Sequence, residues 1–195
     1  MLNEPQLSAI LKSLPTILFE GTLYRIIDAK HSASPLSAIG STFDGGRYNP
    51  RRSFEALYLS FSETTAMAEV HGYSATAPDL TKMKGPPKMV LSVDCQIERV
   101  LDLCDLATQK QLGTNLTELL ADWRFDHITH GINSVSQQLG IASFNLGTIQ
   151  AIKVRSARDP KFDNIVIFPD RLVKGAPSFF EVFDPFGILP PTRWP

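Results

Sequence analysis

Cysteine is nearly missing from this 195-residue chain, which carries only Cys95 and Cys104. Two thiols without metal-ligand spacing exclude a disulfide-stapled scaffold and a thiolate zinc site, and their apolar neighbours predict buried, reduced sulfurs. An excess of one charge is missing too. Nineteen basic against 20 acidic residues leave a net charge of −1, which argues against direct binding of nucleic acid or of an anionic membrane. No apolar run reaches the ~18–20 residues of a membrane span. Met1-Leu2-Asn3-Glu4-Pro5 lacks the basic and apolar stretches of a secretory leader, so a cytoplasmic location is expected. Of the four histidines (His31, His71, His127, His130), His127 and His130 are three apart but have no Cys or acidic partners at ligand spacing. No metal is expected.

What is present is ordinary for a soluble domain: 43% hydrophobic and 20% charged residues, in a chain long enough for a substantial core. Leu7, Ile10, Leu11 and Leu14 fall at i, i+3, i+4, i+7 and predict a helix over 7–14, ended by Pro15. Strands are predicted over 22–27 and 56–60, with a Ser/Gly/Pro-rich loop over 31–50 between them. Ser62 offers an N-cap to a helix over 63–73, with Glu63 placed well for the dipole. Residues 74–87, with Pro78, Gly85, Pro86 and Pro87, read as a linker or a surface loop. Met89, Leu91, Val93 and Cys95 alternate along a half-buried strand over 88–95. Helices are predicted over 105–112, over 114–123 with Thr114 as cap, and over 133–139 closed by Gly140. Asp102, Asp105 and Glu118 read as turn and cap residues. Late strands follow over 149–154, 164–168 and 179–183.

Seven of the fourteen prolines lie beyond residue 159, so the C-terminal part consists of short strands and turns. Without repeats or strict β-α-β alternation, the pattern predicts an α+β fold: one domain over 1–195, with short mixed or antiparallel strands and peripheral helices.

Gly45-Gly46-Arg47-Tyr48-Asn49-Pro50 is the most unusual local string. Two glycines let the backbone turn tightly and approach a ligand, and a guanidinium can grip a phosphate with parallel hydrogen bonds. Alone, the string equally fits a tight turn carrying a surface arginine. It has neither the spacing nor the Lys-Ser/Thr of a nucleotide-binding loop. Tyr58 lies eleven residues on, in a strand whose alternation sets it opposite Leu57 and Leu59. Glu69 follows after another eleven, at the edge of an apolar stripe of Ala66, Met67 and Val70. That edge suits a carboxylate beside a cleft, and equally a solvated helix face.

Taken together, Leu23-Tyr24-Arg25, Gly45 to Pro50, Ala56 to Ser60 and Ala66-Met67-Ala68-Glu69-Val70 resemble the RES domain. This is the toxin component of RES–Xre toxin–antitoxin systems, named for Arg, Glu and Ser motif positions. The resemblance continues through Ser136-Gln137-Gln138-Leu139-Gly140, Arg155-Ser156-Ala157-Arg158 and the Asn164 that opens a core strand, spanning about 22–170. The helix over 7–14 and the tail over 184–195 lie outside it. Tyr48 stands where the family usually has Trp, and Arg155 where it commonly has Pro.

The resemblance implies a fold similar to ADP-ribosyltransferases, with NAD+ as substrate and no metal. Arg25 and Arg47 would hold the pyrophosphate, with Gly46 and Asn49 also in contact with NAD+. Tyr58 would pack against the nicotinamide or its ribose. Glu69 would stabilise positive charge as the N-glycosidic bond breaks. Ser156 would be a hydrogen-bonding residue at the site's edge. An Xre-type helix-turn-helix antitoxin covering the cleft is the implied partner, and oligomeric assembly with it stays open. The leading expectation is a toxin that depletes NAD+, with water or phosphate as acceptor. The alternatives are a mono-ADP-ribosyltransferase acting on a host protein and a non-enzymatic interaction module.

Overall fold

The computed structural model describes residues 4–72, 85–125, 129–190 and 193–195. Leu7 and Leu11 bury one side of α1 (Glu4–Ser13), and Leu14 is buried just beyond its end. The chain continues with β1 (Ile17–Asp28), α2 (Gly40–Asp44), β2 (Leu57–Ser60), α3 (Glu63–His71) and β3 (Lys88–Asp102). Next come α4 (Leu106–Gln111), α5 (Leu116–Leu120), α6 (Trp123–Phe125), α7 (Val135–Leu146), β4 (Ala151–Arg155), β5 (Asp163–Ile167), β6 (Phe179–Val182) and β7 (Arg193–Trp194).

The pairings close a ring, β1–β2–β5–β4–β3 and back to β1, while β6 adds to β3 and β7 to β6. The β3–β4 pair is parallel and the others are antiparallel. Period-two alternation divides the core. Leu23, Leu57, Leu59, Val93, Ile97, Ile165 and Ile167 pack on one another between the strands. Ile152, Val154 and Val166 point the other way, against Leu7, Leu11, Leu119 and Leu139 of the helices. β1 and β3 form the longest ladder, from Ile17↔Val100 to Asp28↔Lys88. β1 and β2, by contrast, meet at Tyr24↔Ser60 alone among the described residues, leaving the ring open beside that pair.

The α+β architecture agrees with the expectation, and several local readings are corrected. β1 starts at Ile17, not Thr22, because Ile17 and Leu18 are exposed and offer no periodic signal. β3 runs on to Asp102, since Val100 and Leu101 are both buried and hide the alternation. The loop over 31–50 contains α2. The helix expected over 114–123 is two pieces: Asn115, not Thr114, caps α5, and the chain extends at Ala121 (ψ 159°). Thr114 donates instead to Glu118 Oε2 at 2.8 Å. Gly140 does not close its helix. α7 continues to Leu146 and ends at left-handed Gly147, while Gly140 faces the Tyr48 carbonyl so closely that no Cβ fits.

Asp105 caps α4, and Asp102 accepts from Cys104 N. Both cysteines are free; Cys95 is buried and Cys104 half-buried, and burial pushes each thiol up to about 12. The tail returns to the domain where Trp194 pairs with Phe180. Among the described residues no helix is long and apolar enough to cross a membrane. Residues 74–84, Tyr73 and His127 lie outside the described residues.

Candidate functional site

A cavity of about 600 Å³ lies where β1 and β2 part, within the ~300–1,000 Å³ typical of small-molecule sites. Arg25, Gly46, Arg47, Tyr58 and Glu69 all line it, joined by Trp123, Arg124, Arg158 and Asn164. Five residues singled out from sequence thus converge from β1, the 45–50 loop, β2 and α3.

The loop is shaped by its glycines. Gly45 holds φ +71°, and a Cβ there would lie 2.9 Å from Arg51 N. A Cβ on Gly46 would strike the Tyr58 hydroxyl and lie 2.7 Å from Asn49 Oδ1. That hydroxyl accepts from Tyr48 N at 3.0 Å and donates to Asn49 Oδ1 at 2.8 Å. Burial raises the Tyr58 phenol well above its ordinary range, so the group stays neutral and presents its ring to the cavity. Asn49 is fully buried and spends its amide on Ser41 O at 2.8 Å and Phe54 O at 3.4 Å. It braces the loop from behind and does not line the cavity.

Both arginines rest on backbone carbonyls. Arg25 donates through Nη1 to Pro35 O and through Nη2 to Ser37 O, each at 2.8 Å. Arg47 donates through Nη1 to Leu119 O at 2.9 Å and Ala121 O at 2.6 Å, closing the end of α5. Among the described residues neither forms an ion pair with a carboxylate. Burial without such a partner lowers the Arg25 guanidinium to about 10. Burial lowers Arg47 as well, opposed by Tyr48, Glu69, Tyr58 and Asp122.

Glu69 projects from α3, which Ser62 caps by accepting from Thr65 N and which ends at left-handed Gly72. The buried face of α3 is Thr65, Ala66 and Ala68, whereas Val70 is 44% exposed. The apolar stripe expected at Ala66, Met67 and Val70 is therefore rotated, because small residues face the sheet at close approach. Glu69 Oε1 accepts from Ser156 Oγ at 2.6 Å and from Asn164 Nδ2 at 3.0 Å. Ser156 is fully buried, and its oxygen accepts from Arg158 N at 3.1 Å and Asp159 N at 2.9 Å. With both acceptor positions filled, its one proton must go to Glu69. Ser156 thus acts through Glu69 from behind the cavity wall.

The same turn is tied to α3 by Thr65 Oγ1, which donates to buried Asp159 Oδ2 at 2.7 Å. Arg155, where the family commonly has Pro, spans the turn through Asp163 Oδ1 at 3.1 Å and Pro160 O at 3.2 Å. Asn164, Trp123, Arg124 and Arg158 were not singled out as site residues from sequence. For Asn164 the signal was its place at the head of a core strand. For Arg158 it was its place in the Arg155-Ser156-Ala157-Arg158 turn, whereas Trp123 and Arg124 carry no local motif.

Comparison with curated proteins gives no match. A crystal structure of the M. tuberculosis MbcT–MbcA toxin–antitoxin complex contains a chain of similar fold. Its TM-score is 0.68 at 24% identity, over 92% of this chain and 90% of that one. The family model of the RES domain matches residues 22–180, which contain every cavity residue named above. By that match, the chain belongs to the RES domain family.

Proposed function

We propose that this chain is the toxin of a toxin–antitoxin pair and cleaves NAD+ at the nicotinamide N-glycosidic bond, with water or phosphate as acceptor. The observation that carries this is one cavity holding the Glu69 carboxylate, fixed through Oε1, and two half-buried arginines that form no ion pair among the described residues. Cations withdrawn from water without an anion are costly, and an anionic ligand relieves that cost. A pyrophosphate would supply the anion, and Arg47, which among the described residues donates through Nη1 alone, keeps Nη2 and Nε for it. Arg124 and Arg158 add positive charge to the same wall.

Cleavage sends the bonding pair of the C1′–N bond onto the nicotinamide ring, which leaves neutral, while positive charge develops on the ribose. A fixed carboxylate stabilises that charge, as in glycoside hydrolysis. The acceptor then bonds C1′ and loses a proton. Membership in the RES family and the fold shared with a chain of a toxin–antitoxin complex support the toxin reading. The partner would be an Xre-type antitoxin that binds over the cavity. With a net charge of −1 on this chain, contacts to operator DNA would come from that partner.

Purified protein is expected to release nicotinamide from NAD+, leaving free ADP-ribose or its phosphorylated form. With labelled NAD+ in a cell lysate, label gathering on one discrete protein band would instead make the chain a mono-ADP-ribosyltransferase. No nicotinamide at all would leave a non-enzymatic docking module. Residues 74–84 of the segment read as a linker or surface loop lie outside the described residues, and this assay decides the acceptor.

Arg47→Lys keeps the charge and loses the planar fork. KM for NAD+ is expected to rise about 10–100-fold, the equivalent of one charge-assisted hydrogen bond. An unchanged KM would make Arg47 solely a brace on the end of α5.

A further inference from the structure

We infer that Asn164 is a positioning residue, holding Glu69 by Oε1 so that Oε2 is the oxygen offered to a ligand. Its backbone role is independent of its side chain, since β5 pairs through Asn164 with Ser60 of β2 and Val154 of β4. The side chain donates from Nδ2 to Glu69 Oε1 at 3.0 Å. Its carbonyl oxygen, Oδ1, is buried and has no partner among the described residues. A buried acceptor without a donor weakens a fold. Turning the amide over does not help, because it sets Oδ1 against Oε1, acceptor against acceptor. The orphan oxygen is thus the necessary consequence of aiming the donor at Glu69.

The rest of the surroundings fits the same purpose. An exposed glutamate on a helix has three free torsions, and ordering them costs entropy. Ser156 and Asn164 load the same oxygen from two sides. The ends of this device are pinned by Thr65–Asp159 and by Arg155–Asp163. Among the described residues nothing bonds Oε2.

The kinetic part of this inference rests on the NAD+-cleaving reading, and the experiment separates the two. In the full chain, Asn164→Ala is expected to lower kcat for nicotinamide release about 10–100-fold, the usual cost of losing a supporting hydrogen bond behind a site. KM should change little. Tm should hold or rise, because the orphan acceptor is removed. Asn164→Asp keeps the shape but turns an acceptor toward Glu69, and should be at least as damaging. Independently of turnover, the Asn164 side-chain amide, identified in ¹H–¹⁵N spectra by its loss in Asn164→Ala, should shift in Glu69→Ala.

Wild-type kcat in Asn164→Ala would overturn the proposal. A rise in KM alone would make Asn164 a substrate contact, and a lowered Tm a structural brace; either overturns it. An amide signal unmoved in Glu69→Ala overturns it whether or not the wild type turns over NAD+. A wild type that releases no nicotinamide, with the amide shift present, refutes the NAD+ reading and leaves the clamp standing.

Discussion

Glu69→Gln is expected to lower kcat for nicotinamide release by about 10²–10³ while the fold persists. The amide keeps the size of the side chain and an oxygen that can accept from Ser156. What it loses is the full negative charge facing the ribose at the moment positive charge develops there. The expected loss corresponds to about 3–4 kcal/mol of transition-state stabilisation. A change on an exposed helix face ordinarily alters stability by about 0.5 kcal/mol or less. Glu69 lies on such a face, and the cap at Ser62 and the Thr65–Asp159 bond do not involve it. Turnover and stability should therefore separate cleanly. Nicotinamide release measured beside thermal unfolding tests this, and unchanged turnover in a folded variant removes Glu69 from the mechanism.

Gly140→Ala is expected to cost about 3 kcal/mol of stability, the upper part of the range for overpacked cores. The added Cβ would strike the Tyr48 carbonyl and lie 2.7 Å from its carbon and 3.1 Å from Tyr48 Cα. These are backbone atoms, so no rotamer change relieves the overlap. Neither partner yields easily. α7 is set by the Ser134–Gln137 capping box and by Arg171 Nε donating to Phe144 O at 2.9 Å. Tyr48 is 1% exposed within the outer core. In an unconstrained helix Ala would gain ~1 kcal/mol over Gly, and here the overlap reverses the sign. For a domain of this size Tm should fall by roughly 6–12 °C. Arg47 follows Gly46 in the displaced loop, so KM for NAD+ should rise as well. A variant melting at the wild-type temperature would contradict the Tyr48–Gly140 packing.

Much of this site was legible before any coordinates. Period-two alternation set Tyr58 opposite Leu57 and Leu59, and the structure places it so. Ser62 and Glu63 announced the start of α3 and hence the helical setting of Glu69. The glycine pair announced a tight turn and close approach to a ligand, whereas at Gly46 the group that comes close is the chain's own Tyr58. Errors arose where a local signal had a second meaning. Gly140 looks like a helix stop, because glycine favours left-handed ends, yet it serves close packing. Thr114 looks like a cap, yet Asn115 one residue later holds Glu118 N.

By itself, the sequence determined the chemical types available, the periods of helix and strand, and an α+β domain without staples or charge excess. Periodicity reports whether a side chain meets core or water over a few residues. It carries no information on partners far away in the chain. The bonds that make the site span such distances: Ser156 to Glu69 over 87 residues, Asn164 to Glu69 over 95, and Arg47 to Leu119 over 72. Only the closing of the ring, with β1 and β2 meeting at Tyr24↔Ser60, decides which of these groups share a cavity. Asn49 and Ser156 therefore stand behind the wall, Asn164 stands in it, and two arginines line it without an ion pair among the described residues.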